Sequence, residues 1–391
     1  MNNRYYSLDV FRGATVALMI LVNNPGSWSH IYTPFEHAEW HGCTPTDLVF
    51  PFFLFAVGNA MAFVMPKMQE KGTAYFLKKV FKRTVLIFLI GLFLNWHPFV
   101  KWDENNHLIF KQWENIRIFG VLQRIAVCYF FASLILYFLK PKIAFVISVI
   151  ILLVYWMLCY SLGHIGDPYS FSGYFGTAWD KAILGENHLY KGEGVPFDPE
   201  GITSSLAAII QVVGGYFAGK YIRKKGRTPH SSGHAWDMLS HLFIAGAVFI
   251  FIGFCWDMVF PVNKKIWTSS YVLYTSGLAI ITLSVLIFLI EFKNYRGAAS
   301  RFFDVFGKNP LFIFVLSGLL PRLLGLIRIP NGLSQNGKPV YVSPFGWFYE
   351  HVCKNIATDL RVGSLLYALC MITFFWLIAY VLDRKKIYIK V

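Results

Sequence analysis

The chain has 391 residues, of which 56% are hydrophobic and only 15% charged. A soluble domain carries about 25% charged residues, so an ordinary water-soluble fold is excluded. The net charge of +15 is concentrated in short segments between long apolar runs; no basic-aromatic nucleic-acid module is present, and nucleic acid is excluded as a partner.

Apolar runs of about 18 residues or more read as transmembrane helices. Ten occur, at residues 8–23, 48–65, 80–96, 119–138, 143–162, 202–219, 241–260, 269–290, 302–326 and 363–382. Only helices or closed barrels cross lipid, and these runs are too long and too evenly apolar for barrel strands. The expected fold class is all-α: a polytopic membrane protein with about ten transmembrane helices, forming a single domain over residues 1–391. No tandem repeat and no low-complexity linker interrupts it. Arg4 precedes the first run and no small-x-small cleavage site follows, so that helix is expected to remain as an uncleaved anchor.

Basic residues divide unevenly between the two sides of these runs. One side receives Arg4, the 67–83 loop, Lys140 and Lys142, the 220–227 cluster, Lys293, Arg296, Arg301 and the 384–390 tail, 21 in all; the other receives 11, spread through longer loops. The basic side is expected to be cytoplasmic, with both termini. The opposite loops, 24–47, 97–118, 163–201, 261–268 and 327–362, are rich in Trp, Tyr, His, Asp and Gly. That composition suits sugars or other polar ligands, and equally an interfacial aromatic belt. Of six cysteines, Cys128, Cys159, Cys255 and Cys370 lie in apolar runs as packing residues; Cys43 and Cys353 fall in outer loops, where a disulfide can form.

Two constellations carry chemistry. In Ser7-Leu8-Asp9-Val10-Phe11-Arg12-Gly13, Asp9 and Arg12 share a helix face, either as an internal ion pair or as an anion site near the cytoplasm. At the other end of the same helix comes Val22-Asn23-Asn24, and then Glu36-His37-Ala38-Glu39-Trp40-His41-Gly42-Cys43-Thr44-Pro45-Thr46-Asp47. Two His, two Glu and one Asp therefore crowd one helix mouth. His37 and His41 have metal-ligand spacing, but the order is not that of a zinc protease, and no metal is expected.

These stretches resemble the core of the heparan-alpha-glucosaminide N-acetyltransferase family and its bacterial relatives, among the transmembrane acyltransferases. The likeness continues in Gly120-Val121-Leu122-Gln123-Arg124-Ile125, Phe197-Asp198-Pro199-Glu200-Gly201, the stretch from Asn263 to Tyr271 (N-K-K-I-W-T-S-S-Y) and Gly307-Lys308-Asn309-Pro310. The resemblance implies transfer of an acetyl group from acetyl-CoA, supplied on the cytoplasmic side, to a glucosamine amine on the far side. It places the catalytic His on His37 and a neighbouring polar Asn on Asn23. The position after Trp40, an Asn in the family, is His41 here. The large lumenal N-terminal region and extra first helix of the animal enzyme do not appear in the sequence. The expected acceptor is therefore a small amino sugar or short oligosaccharide, and the expected location a bacterial inner membrane.

An amine attacks a thioester only when unprotonated, and a His can take its proton or carry the acetyl group itself. His37 is the candidate. Asn23, or Asn24 beside it, can donate to the tetrahedral oxyanion, and Asp47 or Glu39 can orient the His; Asp47 can equally serve as a helix N-cap. The phosphates of CoA require Arg, Lys or helix N-termini, for which Arg12, Lys82/Arg83, Arg124, Lys308 and Asn309 are candidates. Arg124 can instead pair with an intramembrane acid such as Asp304 or Asp257. Pro310 hints at non-helical backbone lining a cavity. Glu39, Trp40, His41, Asp198 and Glu200 are candidates for the acceptor, the last two alternatively forming a turn with N-terminal helix charge. The rival reading is an amino-sugar or oligosaccharide transporter, since intramembrane charge and proline also suit a transport path. Lipid is the expected surround, and a homo-oligomer is left open.

Overall fold

The computed structural model describes residues 5–103, 105–225, 232–333, 337 and 339–389, with backbone alone at 232–235. Arg4, Arg227, Lys338 and Lys390, which enter the charge asymmetry, lie outside the described residues. The helices are α1 (Tyr6–Asn23), α2 (Val49–Glu70), α3 (Thr73–Trp96), α4 (Val121–Phe138), α5 (Pro141–Leu162), α6 (Gly176–Leu184), α7 (Ile202–Lys225), α8 (Ser232–Asp257), α9 (Ser269–Ile287), α10 (Ala298–Lys308), α11 (Pro310–Leu324), α12 (Pro344–Phe348) and α13 (Leu360–Arg384). Two short antiparallel hairpins, β1 (Val100–Trp102) with β2 (Leu108–Phe110) and β3 (Ile329–Leu333) with β4 (Pro339–Val342), sit in loops. The chain is an all-α polytopic membrane protein, as its composition requires.

Among the described residues, eight helices are long and apolar enough to cross a membrane, and the α10–α11 pair can serve as a ninth. The tenth expected span, 80–96, is the second part of α3, a helix of 24 residues. Lys78, Lys79, Lys82 and Arg83 in its first half set it apart from the evenly apolar spans. The run 302–326 is not one straight helix. It bends by 79° between α10 and α11. Pro310 opens α11 without an N–H to continue the hydrogen-bond ladder, and Asn309 leaves helical geometry at φ −129°, ψ 48°.

Glycines bring the central helices together. A Cβ on Gly13 would lie 1.7 Å from the Phe303 carbonyl oxygen, and one on Gly307 would lie 2.0 Å from that of Asp9. The α1 and α10 backbones therefore touch. Gly58 and Gly215 do the same for α2 and α7, against the carbonyls of Val212 and Phe55. Small residues allow this close approach, which is a main source of helix association where lipid removes the hydrophobic drive. By contrast α5, α8 and α13 leave most of their surface uncovered, with 28% of each span window buried.

The loop contacts separate two faces. On one, Trp40 Nε1 donates to the Tyr169 carbonyl at 2.8 Å, Gly42 N to the Val262 carbonyl at 2.7 Å, and Trp102 Nε1 to the Leu326 carbonyl at 3.2 Å. These bring together the long loops expected to lie outside. On the other face Ser7 N donates to Glu291 at 3.0 Å and Lys308 to Asp383 at 3.0 Å. Both described ends of the chain lie on this second, basic face.

Candidate active site

On the loop face, the segment before α2 folds back around one carboxylate. Thr44 and Asp47 form a reciprocal capping box at the 3₁₀ turn Pro45–Leu48, which satisfies backbone donors that a helix start leaves orphaned. Asp47 Oδ2 accepts from Ala38 N at 3.0 Å, Thr44 N at 3.1 Å and Thr44 Oγ1 at 3.1 Å. Oδ1 is thereby free to face His37, whose Nδ1 lies 2.6 Å away. Asp47 is buried, while the His37 side chain is 43% exposed. The N-cap and orienting readings of Asp47 are thus both met, one by each oxygen. A carboxylate only accepts, so Nδ1 carries the proton and Nε2 keeps the lone pair.

A third group completes this cluster. Lys264 Nζ lies 3.1 Å from His37 Nδ1, 3.4 Å from Nε2 and 3.4 Å from Asp47 Oδ1. Its loop is rigid: Asn263 accepts from Ile266 N at 3.0 Å through Oδ1, and its own N–H donates to Thr268 Oγ1 at 3.0 Å. Trp267 adopts φ +50° and is fully buried, and Tyr271 donates its hydroxyl to the Asp47 carbonyl at 2.5 Å. Burial pulls the Lys264 ammonium below its ordinary range, against the opposing pull of Asp47 and Glu200. Sequence reasoning did not single out Lys264, although it belongs to the N-K-K-I-W-T-S-S-Y stretch.

The other residues expected at the acceptor separate into different surroundings. Asn23 is exposed at the end of α1, with no hydrogen-bond partner among the described residues; Asn24 spends its amide on the Ile20 carbonyl at 2.9 Å. Glu39 is exposed and does not bond His37, which leaves Asp47 as the orienting acid. Trp40 packs edge-on against Phe171 and tilted against Phe197, with ring centroids 5.3 and 5.8 Å away. His41 lies 3.4 Å from Asn263 Nδ2, and burial lowers its pKa. Cys43, beside Asp47, is a free thiol pushed up to about 12 by burial and then by that carboxylate. Cys353 is also free, so the disulfide these two can form is not made.

Asp198 and Glu200 do not present free carboxylates to an acceptor. Arg117, also overlooked in the sequence, grips Asp198 with Nε at 2.9 Å and Nη2 at 2.6 Å and also reaches Glu200. Burial disfavours the charged Glu200, but Arg117 outweighs it and lowers the pKa. Asp198 also accepts from Glu200 N at 2.9 Å, so the turn reading describes it better.

Of the residues expected to hold CoA, Arg12 and Arg83 line one cavity, while Arg124, Lys308 and Asn309 lie elsewhere. Arg12 pairs with Asp9 and, with Arg83, lines a cavity of about 120 Å³ between α1, α2, α3, α4 and α11; Pro310 and Leu311 also line it. Arg124 is fully buried near the loop face, donating to the Gly201 carbonyl at 3.1 Å and to Ser204, and lying over the Trp267 ring at 5.0 Å. Its expected pairing with Asp304 or Asp257 is not made: Lys308 takes Asp304 at 2.7 Å and Val262 N takes Asp257 at 2.6 Å. Lys308 also bonds Asp383, and Asn309 ties the C-terminal segment through the Ile387 carbonyl and Ile389 N at 3.0 and 2.8 Å. Both are fully engaged structurally. Among the described residues no cluster of three His, Cys, Asp or Glu side chains could hold a metal ion.

A His–Asp pair of this kind on the loop face of a helical membrane protein can serve proton transfer. Residues 4–172 match the family model for heparan-alpha-glucosaminide N-acetyltransferase, catalytic. The chain is also 28% identical to heparan-alpha-glucosaminide N-acetyltransferase of Homo sapiens, over 99% of its own length and 60% of that protein, and 27% identical to the Mus musculus protein, over 100% and 61%. It thus spans about 60% of the length of the curated relatives it matches. These matches bear out the resemblance to the heparan-alpha-glucosaminide N-acetyltransferase family. His37 and Asp47 fall inside the matched catalytic region; Lys264 and Arg117's partners fall beyond it.

Proposed function

We propose that this chain is a transmembrane N-acetyltransferase that passes the acetyl group of acetyl-CoA, received on the basic cytoplasmic face, to the amine of a glucosamine-type sugar on the opposite face. Residues 1–391 act in this reading as one catalytic domain in a cell's inner membrane. The observation that carries it is the His37–Asp47–Lys264 cluster, with the His37 side chain partly exposed on the loop face and Lys264 beside both ring nitrogens. Homology to N-acetyltransferases supports the reaction class.

In this mechanism His37 Nε2 takes the proton of the acceptor amine as its nitrogen attacks the thioester carbonyl. Asp47 keeps Nδ1 protonated and steadies the imidazolium. The unbonded amide of Asn23 and the Lys264 Nζ are donors for the tetrahedral oxyanion. Collapse breaks the C–S bond, and the CoA thiolate leaves with a proton returned from His37. The same His37 nitrogen can instead carry the acetyl group before the amine arrives. Trp40, backed by Phe171 and Phe197, offers an apolar wall to a sugar ring. Arg12 and Arg83 sit at the cavity between α1, α3 and α4, where the pyrophosphate of CoA would find its counter-charge and the pantetheine arm an apolar lining.

Release of CoA thiol from acetyl-CoA tests this directly, with purified protein in detergent, with and without glucosamine, beside His37→Ala. Glucosamine-dependent release lost in the variant is expected. Release without glucosamine points to the acetyl-histidine route, and no release with any amino sugar from folded protein would sink the proposal.

A further inference from the structure

Away from the site described above, a cavity of about 380 Å³ runs between α5 and α8 over a floor of α7 and α9. Its walls are apolar, from Phe145 and Leu152 on α5 to Phe249 on α8 and Val272 on α9. Its polar rim is at the basic end, where the Tyr221 hydroxyl meets His241 Nδ1 at 2.7 Å. Helices α5 and α8 are among the least covered spans, so the groove opens toward the bilayer.

A second cavity, about 130 Å³, lies at the basic ends of α2, α4 and α7. It contains Lys220, Arg223 and Gln69, and Phe217 lines both cavities. Phe217 packs edge-on against Phe145 of the first cavity, with ring centroids 6.4 Å apart. Lys220 and Arg223 form no ion pair with an acidic side chain among the described residues. Two cations at the basic end of the helices thus stand beside an apolar groove. A polybasic end on a span attracts anionic lipid, and basic pockets between helices hold its headgroups.

We propose that these two cavities form one site for an anionic phospholipid, its phosphate at Lys220 and Arg223 and one acyl chain in the α5–α8 groove. The charge complementarity selects an anionic lipid over a zwitterionic one, and the groove selects a lipid over a free phosphate. This site is independent of the acetyl-transfer reading.

Native mass spectrometry and thermal unfolding of the whole chain in neutral detergent test it, with phosphatidylglycerol, phosphatidylcholine, inorganic phosphate and acetyl-CoA as probes. One phosphatidylglycerol should be retained and should raise Tm, with phosphatidylcholine roughly tenfold weaker. Combined Lys220→Gln and Arg223→Gln should lose that preference. Gly214→Leu should block the chain and leave the basic pocket intact, because a Cβ there meets only Ser276 Oγ at 3.6 Å. Equal binding of both lipids, or phosphatidylglycerol displaced by inorganic phosphate or acetyl-CoA, would overturn the proposal. So would a lipid-free dimer in which Gly214→Leu breaks the contact between copies.

Discussion

His37 and Asp47 meet at 2.6 Å through Nδ1 and Oδ1, while the second oxygen of Asp47 holds the turn that carries both residues. One carboxylate therefore builds the loop and sets the tautomer of the base. Aligning the acid through its own backbone donors removes the rotational freedom that a solvent-facing Asp would keep.

Asp47→Asn separates these two duties. The amide oxygen can replace Oδ2 toward Ala38 N and Thr44 N, which turns the NH₂ toward His37 and drives its proton from Nδ1 to Nε2. The variant should fold but lose turnover by roughly 10²–10⁴, the usual range for a positioned acid–base group. Glu39→Gln should leave turnover unchanged, because Glu39 is exposed and does not touch His37. Thiol-release kinetics on both variants check this; equal loss in the two would mean that the wrong acid has been assigned.

Lys264 lies against both ring nitrogens of His37 from a loop more than 200 residues later in the chain. If it donates to the oxyanion, Lys264→Met should lower kcat by roughly 10²–10³ with little change in the KM for acetyl-CoA, and Lys264→Arg should recover part of the loss. An unchanged kcat in the Met variant would leave Lys264 as a structural partner of Asp47. Asn23→Ala should also lower kcat, and Tm should stay close to wild type because the side chain is exposed and unbonded.

The sequence showed most of the spans and the closeness of His37 to Asp47 because both signals are local: apolar length for the helices, and polar crowding within a few residues of one helix mouth for the pair. Lys264 and Arg117 were invisible for the opposite reason. Each acts across a long sequence separation, and nothing beside Arg117 in the chain announces that it will close on Asp198 and Glu200. Lys308 and Asn309 misled because charge within an apolar run looks like a ligand site. Here the charge is consumed by Asp304 and Asp383, and the amide by the Ile387–Ile389 backbone. The bend at Asn309–Pro310 was legible as a helix break, but its 79° angle depends on how α10 lies against α1.

That contact gives a stability prediction. Gly307→Ala places a Cβ 2.0 Å from the Asp9 carbonyl oxygen, a backbone atom that no side-chain rotation can move. The α1 and α10 helices must separate, and overpacking of this kind costs about 1–3 kcal/mol. Gly318→Ala, whose Cβ meets nothing within 4 Å on α11, should be neutral or slightly stabilising. Thermal unfolding of the two variants in one detergent distinguishes them; a Gly307→Ala Tm equal to wild type would show that the helices do not touch there.

The Arg117 clamp makes a pH prediction with a definite sign. The folded-state pKa of Glu200 lies below its ordinary 4.5 because Arg117, helped by Arg124 and Lys264, outweighs the cost of burial. The stability it contributes is fully present above about pH 4.5 and is lost as pH falls through the depressed value. The pKa of Arg117 is raised by the same two carboxylates in spite of burial, so its share is lost only in strong alkali. Arg117→Gln leaves the buried Asp198 and the partly buried Glu200 without the guanidinium that bonds both. Removing one partner of such a pair costs about 3–5 kcal/mol at neutral pH, and the remaining acids then gain from taking up protons. Wild-type Tm should fall as pH drops below about 4.5, whereas the variant, less stable at pH 7, should hold or rise over the same interval. Parallel Tm profiles in the two proteins would mean that Arg117 joins these loops by packing and not by charge.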